Sequence, residues 1–150
     1  MSQNCKGGEW NAMKNLTKQE RINKVNELIQ VIATCGRMFF CTTKAKRISH
    51  FELAENGRLY FRDKYTNALL PMMRTNSRKW GTYFTEGGTL KSLIEYLADY
   101  IRTGKPITNQ YVFGPWEEGM CNGDLWGYGH DMERIRQSAL RLGVYSGEKQ

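Results

Sequence analysis

The sequence predicts an α+β fold in which an antiparallel sheet, a meander or hairpin of about three to five strands, packs against about three helices. Three segments repeat apolar residues at spacings of three and four, and short alternating runs surround an Asn-Gly pair between the first two segments. At 150 residues, the chain is long enough to bury one hydrophobic core. We expect residues 1–16, which are polar and not periodic, to form a flexible arm and residues 17–150 to form a single domain.

The first helix is predicted to start after Thr17. Thr17 and Glu20 have the spacing of a capping box, in which each side chain accepts a hydrogen bond from the other residue's backbone N–H. One apolar stripe follows at helical spacing: Ile22, Val25, Ile29 and Ile32. Gly36 is the expected end of this helix.

The strands are predicted from Arg37 onward, where the residues become β-prone. Three runs fit strands, at 37–43, 47–53 and 58–62, and the last two alternate polar and apolar side chains. Asn56-Gly57 between them predicts a tight hairpin, because both residue types tolerate positive φ. The aromatic run at 79–84 is interpreted as a further strand.

Two more helices complete the prediction. Thr89 is the expected N-cap of a helix that Gly104 and the following Lys105-Pro106 end. Its apolar stripe is formed by Leu90, Leu93, Ile94, Leu97 and Ile101. A third helix is expected at about 131–142, with Gly143 as its stop.

The segment from Trp80 to Gly104 carries a family resemblance. Trp80-Gly81-Thr82-Tyr83-Phe84, Gly87-Gly88-Thr89-Leu90 and the run 99–104 resemble small uncharacterised accessory proteins of tailed bacteriophages and prophages of enteric bacteria. The similarity extends over about 27–143. It implies a phage accessory gene acting in the bacterial cytoplasm, and a role in binding or inhibition, such as counter-defence, rather than a known catalytic site.

The charge of the chain favours anionic partners. With 22 Lys and Arg against 15 Asp and Glu, the net charge is +7, which suits a nucleic acid, a nucleotide or an acidic protein; the alternative is that the charge only keeps the protein soluble. The sequence has neither an apolar run long enough for a bilayer nor a secretion signal, so we expect a cytoplasmic protein without a membrane partner. The four scattered cysteines are interpreted as reduced thiols.

The first candidate site combines basic and aromatic residues on the predicted hairpin. Arg58, Tyr60 and Arg62 are two residues apart and so share one face of a strand, and Arg47 lies on the preceding strand. Such a face would bind a polyanion by stacking and charge. The alternative is a solvated basic face over a buried aromatic core.

The second candidate is the start of the second helix, at Gly87-Gly88-Thr89 with Lys91. Free N–H groups at a helix start attract phosphate, and glycines permit its close approach. The segment lacks the spacing of a phosphate-binding loop, so a plain turn and cap is the competing interpretation.

The third candidate is the long Gly- and aromatic-rich segment at 113–129, which contains Trp116, Trp126 and Tyr128. Trp and Tyr are frequent in protein interfaces, and they also anchor long loops to a core. We expect Trp126 to pack near the third helix and Trp116 to lie nearer the surface, where it would contact a partner.

Metal and catalytic chemistry have little support in the sequence. His50 and His130 are far apart, Cys121, Asp124 and His130 lack an established zinc spacing, and a Cys41–His50 pair has no evident third group to orient it. We therefore assign no catalytic residue, metal or cofactor.

Two functions remain open at this point. The first is a non-catalytic phage accessory protein that binds a nucleic acid or nucleotide-containing ligand through the basic, aromatic surface. The second is an inhibitor that binds a host defence protein directly. A homo-oligomer is compatible with both.

Overall fold

The computed structural model describes residues 16–35, 38–42, 47–72, 80, 83–85, 88–108 and 129–146. Within them the elements follow the order α1 (Lys18–Ala33), β1 (Cys41–Thr42), β2 (Arg47–Ile48), β3 (His50–Leu53), β4 (Leu59–Arg62), β5 (Leu69–Pro71), α2 (Gly88–Thr103) and α3 (Gly129–Arg141). Strands β1 and β2 form one antiparallel pair, and β3, β4 and β5 form an antiparallel sheet in sequence order. The predicted α+β class is confirmed.

Helix α1 begins with the predicted capping box. The Thr17 hydroxyl accepts a hydrogen bond from the Glu20 N–H at 3.1 Å, and the Glu20 carboxylate accepts one from the Thr17 N–H at 2.8 Å. All four residues of the predicted apolar stripe are at most 1% exposed. The helix ends at Ala33, before Gly36, because Thr34 leaves helical geometry and closes the last turn with its N–H on the Gln30 carbonyl.

The predicted hairpin between β3 and β4 is present, with a different turn from the one expected. The Gly57 N–H donates to the Ala54 carbonyl, and the Ala54 N–H donates to the Arg58 carbonyl, both at 2.9 Å. Gly57 has a φ of +84°, whereas Asn56 is not left-handed. This is a type I turn followed by a left-handed glycine bulge, so the loop requires positive φ at Gly57 alone.

The first two predicted strands are shorter than expected. Met38 and Phe40 have positive φ values of 54° and 68°, which limits the run at 37–43 to the strand β1 in the described residues. The run at 47–53 divides at Ser49 into β2 and β3, because the Ser49 N–H donates to the Phe40 carbonyl at 2.9 Å and not within the three-stranded ladder.

The prediction of a strand at 79–84 was wrong for its described residues. Trp80 and Tyr83 are helical. The aromatic residues of this run suit a pleated surface, but packing overrides that preference: Trp80 is 3% exposed, and its ring lies 5.9 Å from Phe61 and 4.6 Å from Phe84.

The core lies between the sheet and the helices. Phe61 of β4 is fully buried and its ring contacts those of Phe40, Phe51, Trp80 and Phe84. Helix α1 contacts β3, α2 and α3. The buried face of the sheet therefore points toward α1, and the half-buried Tyr60 and Arg62 side chains lie on the other face.

The second and third helices also match the predicted pattern, with small shifts of their ends. Helix α2 begins at Gly88, two residues before Leu90, the first helical residue expected after an N-cap at Thr89, and is followed by Gly104 at a φ of +81°. Helix α3 ends before Gly143, at a φ of +78°. None of the described helices is long and apolar enough to cross a bilayer.

Candidate functional site

The outward face of the three-stranded sheet carries the predicted Tyr60 and Arg62. In β4, Leu59 and Phe61 are buried while these two side chains are half-buried on the opposite face. Tyr60 lies between Glu52 of β3 and Pro71 of β5. The Met72 N–H donates to the Leu59 carbonyl at 3.0 Å, so Leu59 and Met72 are a hydrogen-bonded pair. Pairs alternate along an antiparallel ladder, so the adjoining Tyr60 and Pro71 are a non-hydrogen-bonded pair, the type in which the opposed residues lie closer together.

A pocket opens where this face meets the hairpin, and we call it the basic pocket. It has a volume of about 290 Å³. Three cations from three separate parts of the chain line it: Lys18 from the first turn of α1, Arg58 from the hairpin and Arg102 from the last turn of α2. The other lining residues that the structure describes are neutral: Gly57, Leu59, Tyr60, Pro71 and Met72.

Two of the three cations are positioned by backbone carbonyls. The Lys18 ammonium donates to the Gly57 carbonyl at 2.7 Å, and the Arg102 guanidinium donates to the Met72 carbonyl at 2.9 Å. A second nitrogen of Arg102 forms an ion pair with the Asp99 carboxylate at 2.7 Å. Among the described ion pairs, this is the one that involves a cation of the basic pocket. Carbonyl bonds leave the charge of Lys18 uncompensated, so the pocket is electropositive.

Arg58 differs from the other two because its side chain has no hydrogen bond or ion pair within the described residues. Its backbone N–H donates to the Asn56 side chain at 3.0 Å, which fixes the turn but not the guanidinium. The residue is exposed. An uncommitted guanidinium at the rim of an electropositive pocket is able to form two parallel hydrogen bonds to a phosphate or carboxylate.

Arg62 does not join the basic pocket. It donates to both carboxylate oxygens of Glu52, at 2.5 and 3.3 Å, and to the Asn67 carbonyl at 2.8 Å. The hydrogen bond from Arg62 is the main reason why the pKa of Glu52 is lowered, and His50, 2.8 Å from the same carboxylate, adds to it. Arg62 thus serves as the ion-pair partner of β3.

Arg47 is also occupied elsewhere. Its guanidinium donates to the carbonyls of Lys64 and Tyr65, at 3.0 and 3.3 Å. It therefore ties β2 to the turn that follows β4. Of the four predicted hairpin residues, the structure brings Arg58 and Tyr60 together in one pocket and leaves Arg47 and Arg62 outside it.

The predicted site at the start of α2 is partly described. Lys91 forms an ion pair with Glu95 at 2.8 Å and lies 5.7 Å above the Trp80 ring. Gly87 and the side chain of Thr89 lie outside the described residues, and a Cβ at Gly88 would meet no atom within 4 Å. Lys91 is thus already neutralised by a neighbouring carboxylate.

The remaining candidates are the aromatic segment, a metal site and His50. Trp116, Trp126 and Tyr128 lie outside the described residues, so their assignment to core or interface stays a prediction. The part of the chain that the structure describes contains no group of three or more His, Cys, Asp or Glu side chains suited to a metal. The His50 ring bonds to the Ile48 carbonyl at 3.1 Å and to Glu52.

Sequence reasoning missed Lys18 and Arg102 as site residues. They lie on different helices, and Arg58 is about midway between them in the sequence, so no local spacing joins the three. One signal was present: Lys18 opens a helix, where a cation is disfavoured by the helix dipole. A cation in that position departs from the usual preference for acidic residues in the first turn.

The model of the YoqU family matches residues 15–148. The chain is also similar to the SPbeta prophage-derived uncharacterized protein YoqU of Bacillus subtilis (strain 168), with 27% identity over 133 residues that cover 87% of each protein. No solved structure matches. The predicted resemblance to small prophage proteins is confirmed by these matches, whereas the relative's host is a Bacillus, so the link to enteric bacteria stays a prediction.

Proposed function

This chain belongs to the YoqU family, and we propose that it is a non-catalytic phage accessory protein that binds a nucleic acid or nucleotide-containing ligand in the basic pocket. The observation that carries the proposal is the convergence of Lys18, Arg58 and Arg102 on one pocket whose described lining residues include no carboxylate. Three like charges brought together repel one another, and a bound anion relieves that repulsion. Arg binds phosphate groups with two parallel hydrogen bonds, and Lys binds them as a point charge.

Binding rather than catalysis follows from the kinds of residue in the lining. The basic pocket offers cations, apolar surface and one phenol. The lining residues within the described ranges include no His, Cys or carboxylate, the usual general bases and activated nucleophiles. The chemistry available there holds an anionic ligand and leaves its bonds intact.

The accessory role is a further part of the proposal. The relative from Bacillus subtilis is described as prophage-derived. A phage protein of this size that binds a nucleotide or nucleic acid in the host cytoplasm is suited to modulating a host enzyme or to counter-defence, in enteric as in other bacterial hosts. Sequestering a ligand that a host pathway needs would require binding alone.

The alternative is direct inhibition of a host defence protein, or a homo-oligomer, through the segment with Trp116, Trp126 and Tyr128. Aromatic side chains of this kind supply large contact areas in interfaces. Affinity capture of the tagged protein from infected cells, with and without nuclease, distinguishes the two. A captured protein that persists after nuclease treatment and after Arg58→Gln substitution would favour the alternative.

A salt titration tests the proposal directly. We expect a fluorescent polyphosphate probe to bind the parent protein with an affinity that falls linearly with salt on a log–log plot, because cations on the protein release counterions. Arg58→Gln should weaken binding about tenfold or more, the loss expected for one bidentate charged contact.

The matched control is Arg141→Gln, which removes the same charge from the end of α3, outside the lining of the basic pocket. The Arg141 side chain is 61% exposed, and its ion pair with Glu27, at 3.6 Å, is exposed at both ends. Exposed ion pairs add little stability, so the substitution should not affect folding. Equal weakening by both substitutions would show that net charge rather than the pocket attracts the probe, and absence of binding by the parent would reject the proposal.

A further inference from the structure

We infer that the basic pocket takes a single nucleotide, a nucleoside di- or triphosphate, with the phosphates on Arg58, Lys18 and Arg102 and the base on the Tyr60 ring. The inference rests on the proposed function and limits the class of ligand to single nucleotides. A nucleic acid strand is the competing occupant, and four properties of the described residues favour the single nucleotide: the partners of the sheet arginines, the size of the pocket, the apolar surface beside the cations and the charge.

On the described part of the sheet, the guanidinium group without a protein acceptor is that of Arg58, at the basic pocket. A strand needs a track of cations and stacking surfaces along several successive nucleotides. The two arginines of the described strands bond to protein acceptors, Arg62 to Glu52 and Arg47 to two carbonyls. Of these three arginines, Arg58 is therefore the one open to a ligand, and it shares its concavity with Lys18 and Arg102.

The size of the concavity suits a small ligand. Its volume of about 290 Å³ lies at the lower end of the range for small-molecule sites. Four segments line it: the start of α1, the hairpin with β4, the end of β5 and the end of α2. A single nucleotide seated there would contact all four segments at once.

Tyr60 and Pro71 provide the surface for a base. They form a directly opposed pair of the closer type on the outward face of the sheet, and both line the basic pocket. Leu59 and Met72, which also line the pocket, are 4% and 7% exposed and so add little surface for a ligand. An aromatic ring and a proline next to cations match a base joined to phosphates.

The charge of the pocket matches a di- or triphosphate. Three cations and the Asp99 carboxylate paired with Arg102 leave two net positive charges facing the ligand. A nucleoside di- or triphosphate carries two to four negative charges near neutral pH. The phosphate closest to Arg58 would gain the guanidinium that lacks a partner among the described residues.

Calorimetric titration with a set of probes tests the inference. The probes are ATP, GTP, CTP, UTP, inorganic triphosphate and a single-stranded oligonucleotide of about twelve nucleotides, long enough to cover a strand-binding site. We expect at least one nucleoside triphosphate to bind about tenfold tighter than inorganic triphosphate, because stacking of the base adds to the phosphate contacts. The oligonucleotide should bind no tighter than that nucleotide.

Two substitutions at Tyr60 separate the base from the phosphates. Tyr60→Phe keeps the ring and should keep the preference for the nucleotide. Tyr60→Thr keeps a strand-forming residue but removes the ring. It should lower the affinity for the nucleotide to the affinity for inorganic triphosphate. Unchanged binding of inorganic triphosphate by Tyr60→Thr shows that the variant is folded.

The outcomes distinguish the inference from the proposed function. If inorganic triphosphate binds as tightly as every nucleotide and Arg58→Gln weakens it, the anion site is real and the nucleotide inference is overturned. If affinity rises with oligonucleotide length while single nucleotides do not bind, the occupant is a strand and the inference is overturned as well. If no probe binds the folded parent, the proposed function fails with it.

Discussion

Arg62 and Arg58 should behave in opposite ways when each is replaced by glutamine, although the sequence presents them as equivalent members of one face. Arg62→Gln should lower the stability of the sheet and leave ligand binding unchanged. Its three hydrogen bonds all go to protein groups, two to the Glu52 carboxylate and one to the Asn67 carbonyl. Arg58→Gln should do the reverse.

The size of the stability loss follows from the exposure of the pair. Hydrogen bonds to charged groups contribute about 1.5–3 kcal/mol when they are well shielded. The Arg62 and Glu52 side chains are 29% and 34% exposed, so solvent reduces the value of the ion pair to about 1 kcal/mol or less. Loss of the Asn67 contact brings the expected decrease in the free energy of unfolding to about 1–2 kcal/mol.

Urea unfolding of the single variants Arg62→Gln and Glu52→Gln and of their double variant isolates the coupling, for which we expect about 0.5–1 kcal/mol. Arg62 lowers the pKa of Glu52 from 4.5, so the native pair contributes stability above that pH and the contribution is lost as pH falls through the lower native pKa. A coupling near zero at pH 7, together with weaker nucleotide binding by Arg62→Gln, would refute this assignment of roles.

Three further predictions concern the fold that supports the pocket. Phe61→Ala should lower the free energy of unfolding by about 4 kcal/mol in urea, because the ring is fully buried against four aromatic rings; a loss below about 2 kcal/mol would contradict the packing. Burial lowers the pKa of Lys64 to about 8 from 10.5, so the unfolded chain binds more protons between these values. From pH 8 to pH 10, the free energy of unfolding of the parent should therefore rise by about 2 kcal/mol more than that of Lys64→Met. Parallel pH profiles of the two proteins would contradict this prediction. Gly104→Ala should lower the free energy of unfolding by about 1 kcal/mol in thermal unfolding, because alanine is strained at a φ of +81°. The added Cβ would lie 3.5 Å from Arg21, an ordinary contact, so no steric cost is expected in addition. An unchanged stability would show that the backbone relaxes.

The helices were predictable because their signals are local. The capping box at Thr17, the apolar stripes and the glycines after α2 and α3 each involve residues within a few turns of one another. The strand at 79–84 was not predictable in this way. Trp80 is helical and buried through contacts with Phe61 and Phe84, and the tertiary contact with Phe61 outweighs the β-preference of its own segment.

The site was predictable only in part for the same reason. Alternation along β4 correctly placed Tyr60 and Arg62 on one face, because that pattern depends on the strand alone. Which arginine is free depends on partners that the sequence does not reveal: Glu52 across the sheet occupies Arg62, while Lys18 and Arg102 join Arg58 from two helices. Neighbours on other elements decide the chemistry of each side chain.

The central claim is the location of the ligand, and a backbone amide NMR titration of the folded protein with ATP tests it most directly. We expect the largest shift changes at Lys18, at residues 57–60 and at Met72, which surround the basic pocket. The amides of Arg47 and Lys91, whose side chains are engaged elsewhere, should hardly move. Changes centred on Lys91 or Arg47, with residues 57–60 unaffected, would contradict the account.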